Sequence, residues 1–148
     1  ANFLYLLSKI YRYILKNRES ETVLLKEEIE FVQWYIHLQQ TRFGKGLQVN
    51  IKVGDEMLDR KIAPVTLQNM VENAIKHNIV DADSPLIIDI ETEHEYLIIR
   101  NNLQKKRMVE TSNRQGLANL HKLYRYLTTK PILIEETDRV YLTKIPLI

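Results

Sequence analysis

Apolar residues recur at Phe3, Leu7, Ile10 and Ile14, with Leu4, Tyr11 and Leu15 beside them, which is helical spacing over residues 3–17. That apolar face is wide for a terminal helix and calls for a partner chain or another segment to cover it. After the polar stretch NRESETVLL, the same period returns over residues 23–41 through Leu25, Ile29, Val32 and Ile36, with Thr22 as the expected N-cap. Phe31, Trp34 and Tyr35 widen that stripe, and RFGKG ends it with Gly44 just past the helix. The period then changes from 3.6 to 2. Leu47, Val49, Ile51 and Val53 alternate with polar residues, as in a half-buried strand.

GDEMLDRKI reads as a loop, and Pro64 marks a helix start. The helix over 64–79 places Leu67, Met70, Val71, Ala74 and Ile75 on one face. LIIDIET and YLIIRN read as a hairpin around EHE, residues 102–115 as a long loop, and 116–127 as a helix with stripe Leu117, Leu120, Leu123, Tyr124 and Leu127. ILIEE and VYLTKIPLI close the chain as a second hairpin around TDR. The order α-α-β-α-β-β-α-β-β, with mostly antiparallel strands, predicts an α+β fold: a two-layer α/β sandwich, one sheet with helices on one face.

Composition narrows the function little. With 148 residues, 45% hydrophobic and 27% charged, the chain suits one domain with a real core. A net charge of +2 argues against a dedicated nucleic-acid binder. The absence of cysteine removes disulfides, thiolate zinc sites and thiol nucleophiles, and allows a reducing compartment. No apolar run reaches membrane-spanning length, and no signal peptide is visible. An opening on Ala, directly inside a helical pattern, reads as a piece of a longer protein cut within a helical region.

The helix over 64–79 carries the chemistry. Its polar face holds Asn69, Glu72, Asn73, Lys76 and His77. Asn costs a helix about 0.5 kcal/mol or more against Ala, so two of them four apart ask for a reason. One reason is a solvated surface and nothing more. The other is a magnesium triphosphate. An amide oxygen suits magnesium, which keeps waters and shares its remaining ligands with phosphates. Lys76 is a point charge for the same phosphate, and Glu72 can orient water or the metal shell.

At these residues the sequence resembles a known family. VENAIKHN looks like the N box of the GHKL superfamily, the Bergerat ATP-binding fold. LLKEEIEFVQWYIHLQQTRFG at 24–44, APVTLQNMVENAIKHN at 63–78, GLANLHKLY at 116–124 and KIPLI at 144–148 resemble, in order, the C-terminal region of LytS-type sensor histidine kinases. The resemblance implies that Asn73 coordinates a magnesium ion bridging ATP phosphates, that Lys76 contacts phosphate and that His77 lies at the nucleotide edge. Asn69 stands one turn earlier, and Glu72 matches the acidic residue of the box. Asn101 and Asn102 fall at the family's DNGxG motif, and Gly116, Leu117 and Asn119 at its GL.N motif.

The resemblance further implies residues 1–20 as the end of a dimerisation and phosphoacceptor helical region, and 21–148 as the ATP-binding domain. Its partners would be that helical region, a response regulator and a second copy in the parent protein, with no nucleic acid. The parent would be membrane-anchored, with this domain in the cytoplasm. No phosphoacceptor motif such as HFLFN is present, so the chain alone would not phosphorylate itself at the family site.

The departures from the family pattern are specific. Asn101 replaces the aspartate that accepts the adenine amino group, Leu103 and Lys105 stand where glycines belong, and Arg114 replaces another glycine. Losing the charge assistance of that aspartate is worth about 1 kcal/mol. Lys105, Lys106, Arg107 and Arg114 make the following loop basic, which suits either a phosphate grip or a solvated surface. His37 is expected to be structural, with His94 and His121 on the surface, and neither a Walker A loop nor a serine elbow occurs. Three functions therefore stand side by side: a kinase ATP-binding domain, a degenerate module that keeps the fold without ATP, and a dimerisation unit built on the first helix.

Overall fold

The periodicity change after residue 46 marks the passage from the first two long helices into the main sheet. The structure, a computed structural model, describes residues 2–106 and 113–148, with residues 2 and 113–116 described by backbone alone. Helix α1 spans Asn2–Lys16, strand β1 Val23–Leu24, helix α2 Leu25–Phe43, strand β2 Leu47–Lys52 and strand β3 Lys61–Ile62. Helix α3 spans Thr66–His77, strands β4 and β5 Leu86–Glu93 and Tyr96–Asn102, helix α4 Asn113–Leu127, and strands β6 and β7 Leu133–Glu136 and Val140–Pro146.

The main sheet has the order β2-β4-β5-β7-β6. Only β2 and β4 run parallel, because α3 carries the chain back between them; the other pairs are antiparallel. Register places Val49, Ile88 and Asn101 side by side, and likewise Ile51, Ile90, Ile99 and Thr143. With period-2 alternation these residues share one face. Helix α3 covers that face with Leu67, Met70, Val71, Ala74 and Ile75, all buried. Each large side chain so buried contributes about 1.5–3 kcal/mol. Helices α2 and α4 complete the layer through Val32, Ile36, Leu120 and Tyr124. On the opposite face, Asn50 donates to Asp89 at 3.0 Å and Arg100 pairs with Glu91 at 3.1 Å, around the buried Ile98 and Leu142.

Helix α1 packs away from this core. Ile10, Tyr13 and Phe31 form a second cluster, with the Tyr13 and Phe31 rings stacked at 4.1 Å. Here lies the reason for the wide apolar surface of α2, whose Val32 side meets the sheet and whose Phe31 and Trp34 side meets α1. Phe3, Leu4, Tyr5, Tyr11 and Leu15 stay exposed in this chain.

Several expectations need correction. Thr22 does not cap α2. Residues 23 and 24 pair with Ile62 and Lys61 instead, Leu24 takes the N-cap position without a side-chain bond, and the first helical N–H groups donate to the carbonyls of Arg60 and Leu58. Tertiary backbone acceptors therefore do the work of a capping side chain. These short strands form a separate two-stranded sheet, β1 at the start of the stretch expected to be helical and β3 in the stretch expected to be a loop. Helix α3 starts at Thr66, not Pro64, because Val65 adopts a left-handed conformation with φ 67. Helix α4 starts three residues earlier than expected, at Asn113. Of the expected 102–115 loop, residues 107–112, Arg107 included, lie outside the described residues. His37 is exposed rather than structural, and it lines a shallow groove of about 290 Å3 with Tyr5, Leu6, Gln33 and Trp34.

The two glycines of RFGKG serve different ends. Gly44 ends α2 at φ 53, and a Cβ on Gly46 would stand 3.0 Å from the backbone of Asp81.

Candidate functional site

Helix α3 advances about 100° per residue, and its polar residues therefore form two rows. Asn69, Asn73 and His77 stack at i, i+4 and i+8 on one row. Gln68, Glu72 and Lys76 stack on the other, about 100° around the helix. Glu72 accepts a hydrogen bond from Gln68 at 2.8 Å and pairs with Lys76 at 3.1 Å. Burial pushes the hydroxyl of Tyr35 on α2 up to about 12, and the Glu72 charge adds to the rise, so this row leans towards α2. The helix thus separates the candidate catalytic residue Glu72 from the candidate metal ligand Asn73, though they are neighbours in sequence.

The Asn69–Asn73–His77 row ends at the segment leaving β5, which hydrogen bonds hold against the end of α3. Asn78 is buried; its Nδ2 donates to the Ala74 carbonyl at 2.9 Å, and its Oδ1 accepts the Gln104 N–H at 2.7 Å. The Ile79 N–H donates to Gln104 and the Lys106 N–H donates to His77, both at backbone carbonyls. The Gln104 side chain adds bonds to the carbonyls of Ile79 and Ser84. This zipper brings Lys105 and Lys106 up to Lys76 and His77. Burial first, then the charges of Lys105, Lys106 and Lys76, hold the His77 imidazolium below its ordinary pKa. Lys105 itself pairs with Glu136 at 3.2 Å. Four basic residues from two segments are thus brought to one end of α3 by backbone pairing, and an anion there would relieve their mutual repulsion.

The expected β5 residues separate. Asn101 lies on the helix-covered face, nearly buried, with Nδ2 donating to the Asn102 carbonyl at 2.8 Å. Asn102 lies on the opposite face by strand alternation. Its Oδ1 accepts the Ile87 N–H at 2.7 Å and its Nδ2 donates to the Pro85 carbonyl at 3.1 Å, so it fastens the start of β4. Asn102 therefore does not join the others. Gly116 and Arg114 fall in the first turn of α4, Leu117 is half-buried and Asn119 is exposed on the same helix.

The start of α3 depends on residues that pattern reading missed. Glu28, fully buried, accepts the Tyr13 hydroxyl at 2.5 Å and the N–H groups of Val65 and Leu67 at 3.0 and 3.2 Å. Burial outweighs these donors and pushes the Glu28 carboxyl above its ordinary pKa. From the other side, the Tyr124 hydroxyl accepts the Ala63 N–H and bonds the Thr66 hydroxyl, each at 3.1 Å. A charged residue falling three before Phe31 and four before Val32, inside an apolar stripe, was the available signal for Glu28. For a β-branched residue, the left-handed backbone at Val65 costs about 1–3 kcal/mol, and this junction sustains it.

Comparison with known proteins bears on family and fold. The family model described as histidine kinase matches residues 1–47. The sensor histidine kinase BtsS of Escherichia coli is 46% identical over 71 residues, 48% of this chain and 12% of BtsS. The sensor histidine kinase/phosphatase LytS of Staphylococcus aureus is 30% identical over 112 residues, 76% of this chain and 18% of LytS. The chain belongs to the sensor histidine kinases. It spans less than a fifth of the length of these relatives. The fold of this kinase domain is also that of solved structures. The cytoplasmic segment of histidine kinase QseC matches with TM-score 0.60 at 13% identity, covering 86% of this chain and 76% of that one. The catalytic domain of histidine kinase ThkA matches with TM-score 0.58 at 14% identity, covering 84% and 95%. No helix among the described residues of this sensor kinase domain is long and apolar enough to cross a membrane.

Proposed function

We propose that this chain is the ATP-binding catalytic domain of a two-component sensor histidine kinase, supplying magnesium-ATP for phosphorylation of a histidine outside it. The observation that carries this reading is the backbone pairing that sets Lys105 and Lys106 beside Lys76 and His77 at the end of the Asn69–Asn73–His77 row. Asn73 is half-exposed, as a ligand for an incoming ion must be. An amide oxygen fits magnesium shared with phosphates. Bound there, magnesium would neutralise phosphate charge during transfer.

The chain's own residues position and stabilise. Lys76 exchanges Glu72 for a phosphate oxygen, and Glu72 remains beside it to orient lysine or water. Neutral His77 presents a ring edge without adding charge. Lys105 and Lys106 hold the phosphate tail, and Asn101 offers an amide acceptor to the adenine amino group. Leu117 and Asn119, with Gly116, border the nucleotide from α4. Phosphoryl transfer asks little more of a protein than positioning and charge. The acceptor histidine, a response regulator and a second copy of the parent are the partners of this reading. A membrane-anchored parent with this domain in the cytoplasm is its setting.

A second reading has specific support. Lys76 and Lys105 already pair with Glu72 and Glu136, and Asn101 is nearly buried, as in a module that keeps the fold and docks a partner without ATP. Parallel titrations with ATP and GTP, on wild type and Asn101→Ala, separate the two. Preference for ATP that shrinks in the variant supports the kinase domain. Binding of neither nucleotide by the folded chain supports the docking module.

A further inference from the structure

Helix α3 is held at its start by groups from three other helices. Glu28 of α2 gathers one hydroxyl from α1 and two N–H groups from the turn into α3, while Tyr124 of α4 holds Ala63 and Thr66. Between them stands Val65, in its left-handed conformation and packed against the Ile10–Tyr13–Phe31 cluster. The Val65 carbonyl accepts the Asn69 N–H at 3.0 Å, an early i to i+4 bond of α3. Asn73 and His77 follow at the same four-residue spacing. A change in the peptide at Val65 therefore passes directly to the row that carries the candidate ligands.

A buried carboxylate is a costly way to close a helix end. An N-cap serine or threonine would satisfy the Leu67 N–H from within the helix. What Glu28 adds is a bond to α1, which otherwise meets the rest of the chain through α2 and Val65. We propose that Tyr13 and Glu28 are positioning residues through which α1 sets the start of α3, and with it the placement of Asn69, Asn73 and His77. The functional half of this inference rests on the nucleotide reading of that row; the mechanical half does not. Helix α4, which bears Leu117 and Asn119, shares the junction through Tyr124, so a shift of α1 reaches both walls of the candidate site.

Tyr13→Phe isolates the hydroxyl, because the ring keeps its stacking on Phe31. Glu28→Gln keeps the shape and removes the charge. Tyr11→Phe, at an exposed position on the same helix, is the control. Amide hydrogen exchange on the 148-residue chain reads the mechanical half, and titration with magnesium-ATP reads the functional half. In Tyr13→Phe and Glu28→Gln, the Leu67 and Asn69 amides should exchange at least about fivefold faster while those of Ile90 and Ile99 keep their rates, and the ATP dissociation constant should rise by a similar factor. Tyr11→Phe should change neither. Acceleration by one factor throughout the chain, or confined to α1 and α2, would overturn the proposal and leave Tyr13 and Glu28 as packing groups. Local acceleration in α3 with unchanged ATP affinity would overturn the step from the junction to the site. If wild type binds no ATP, the nucleotide reading falls by itself, and exchange at Leu67 and Asn69 still decides whether α1 sets α3.

Discussion

Replacing Glu28 by Ala removes the acceptor for three buried donors at once: the Tyr13 hydroxyl and the N–H groups of Val65 and Leu67. Each buried donor left without a partner costs about 1–3 kcal/mol. Removing a carboxylate held in an apolar setting returns several kcal/mol of desolvation. The net expectation is a loss of about 2–4 kcal/mol, a large part of a small domain's stability. Urea unfolding followed by the fluorescence of Trp34, the single tryptophan, reads this as a lower midpoint with an unchanged slope. Glu28→Gln adds a pH signature. The folded carboxyl titrates above its ordinary range because burial disfavours its charge. Its contribution to stability is therefore fully present below the unfolded pKa and is lost as pH rises through the folded one. Wild type minus Glu28→Gln should be largest below the ordinary glutamate pKa and shrink as pH rises. A loss under about 0.5 kcal/mol for Glu28→Ala, or a difference that grows with rising pH, would refute the reasoning.

Proton NMR titration should find His77 below the ordinary histidine range; its stabilising contribution, present above that range, is lost as pH falls towards the folded value, and magnesium-ATP should raise that value. Lys105→Ala should leave stability within about 1 kcal/mol, as for an exposed ion pair, yet raise the His77 pKa and weaken ATP binding in the same titrations. Asn78→Ala should cost about 1–3 kcal/mol in thermal unfolding by stranding the buried ends of the zipper, and should speed exchange of the Gln104 amide.

The elements that periodicity reveals were legible: all four helices and all five strands of the main sheet lie within three residues of expectation. What escaped was satisfied from far along the chain. The α2 start borrows carbonyls from residues 58 and 60, and the α3 start borrows a carboxylate from residue 28, so no local cap marks either one. The strands at residues 23–24 and 61–62 exist only as partners of each other. At the candidate site, residue types gave the polar face of α3 but not its division into two rows. Nor did they separate Asn101 from Asn102, which strand alternation sends to opposite faces of the sheet. Lys105 and Lys106 looked like loop charges, and the Asn78–Gln104 zipper brings them to His77.

The most direct test of the nucleotide reading is calorimetric titration of ATP into the folded chain, with and without magnesium, for wild type and Asn73→Ala. The arrangement on α3 predicts magnesium-dependent binding that weakens at least about tenfold in the variant. No binding heat at millimolar ATP, or equal binding by Asn73→Ala, would contradict it.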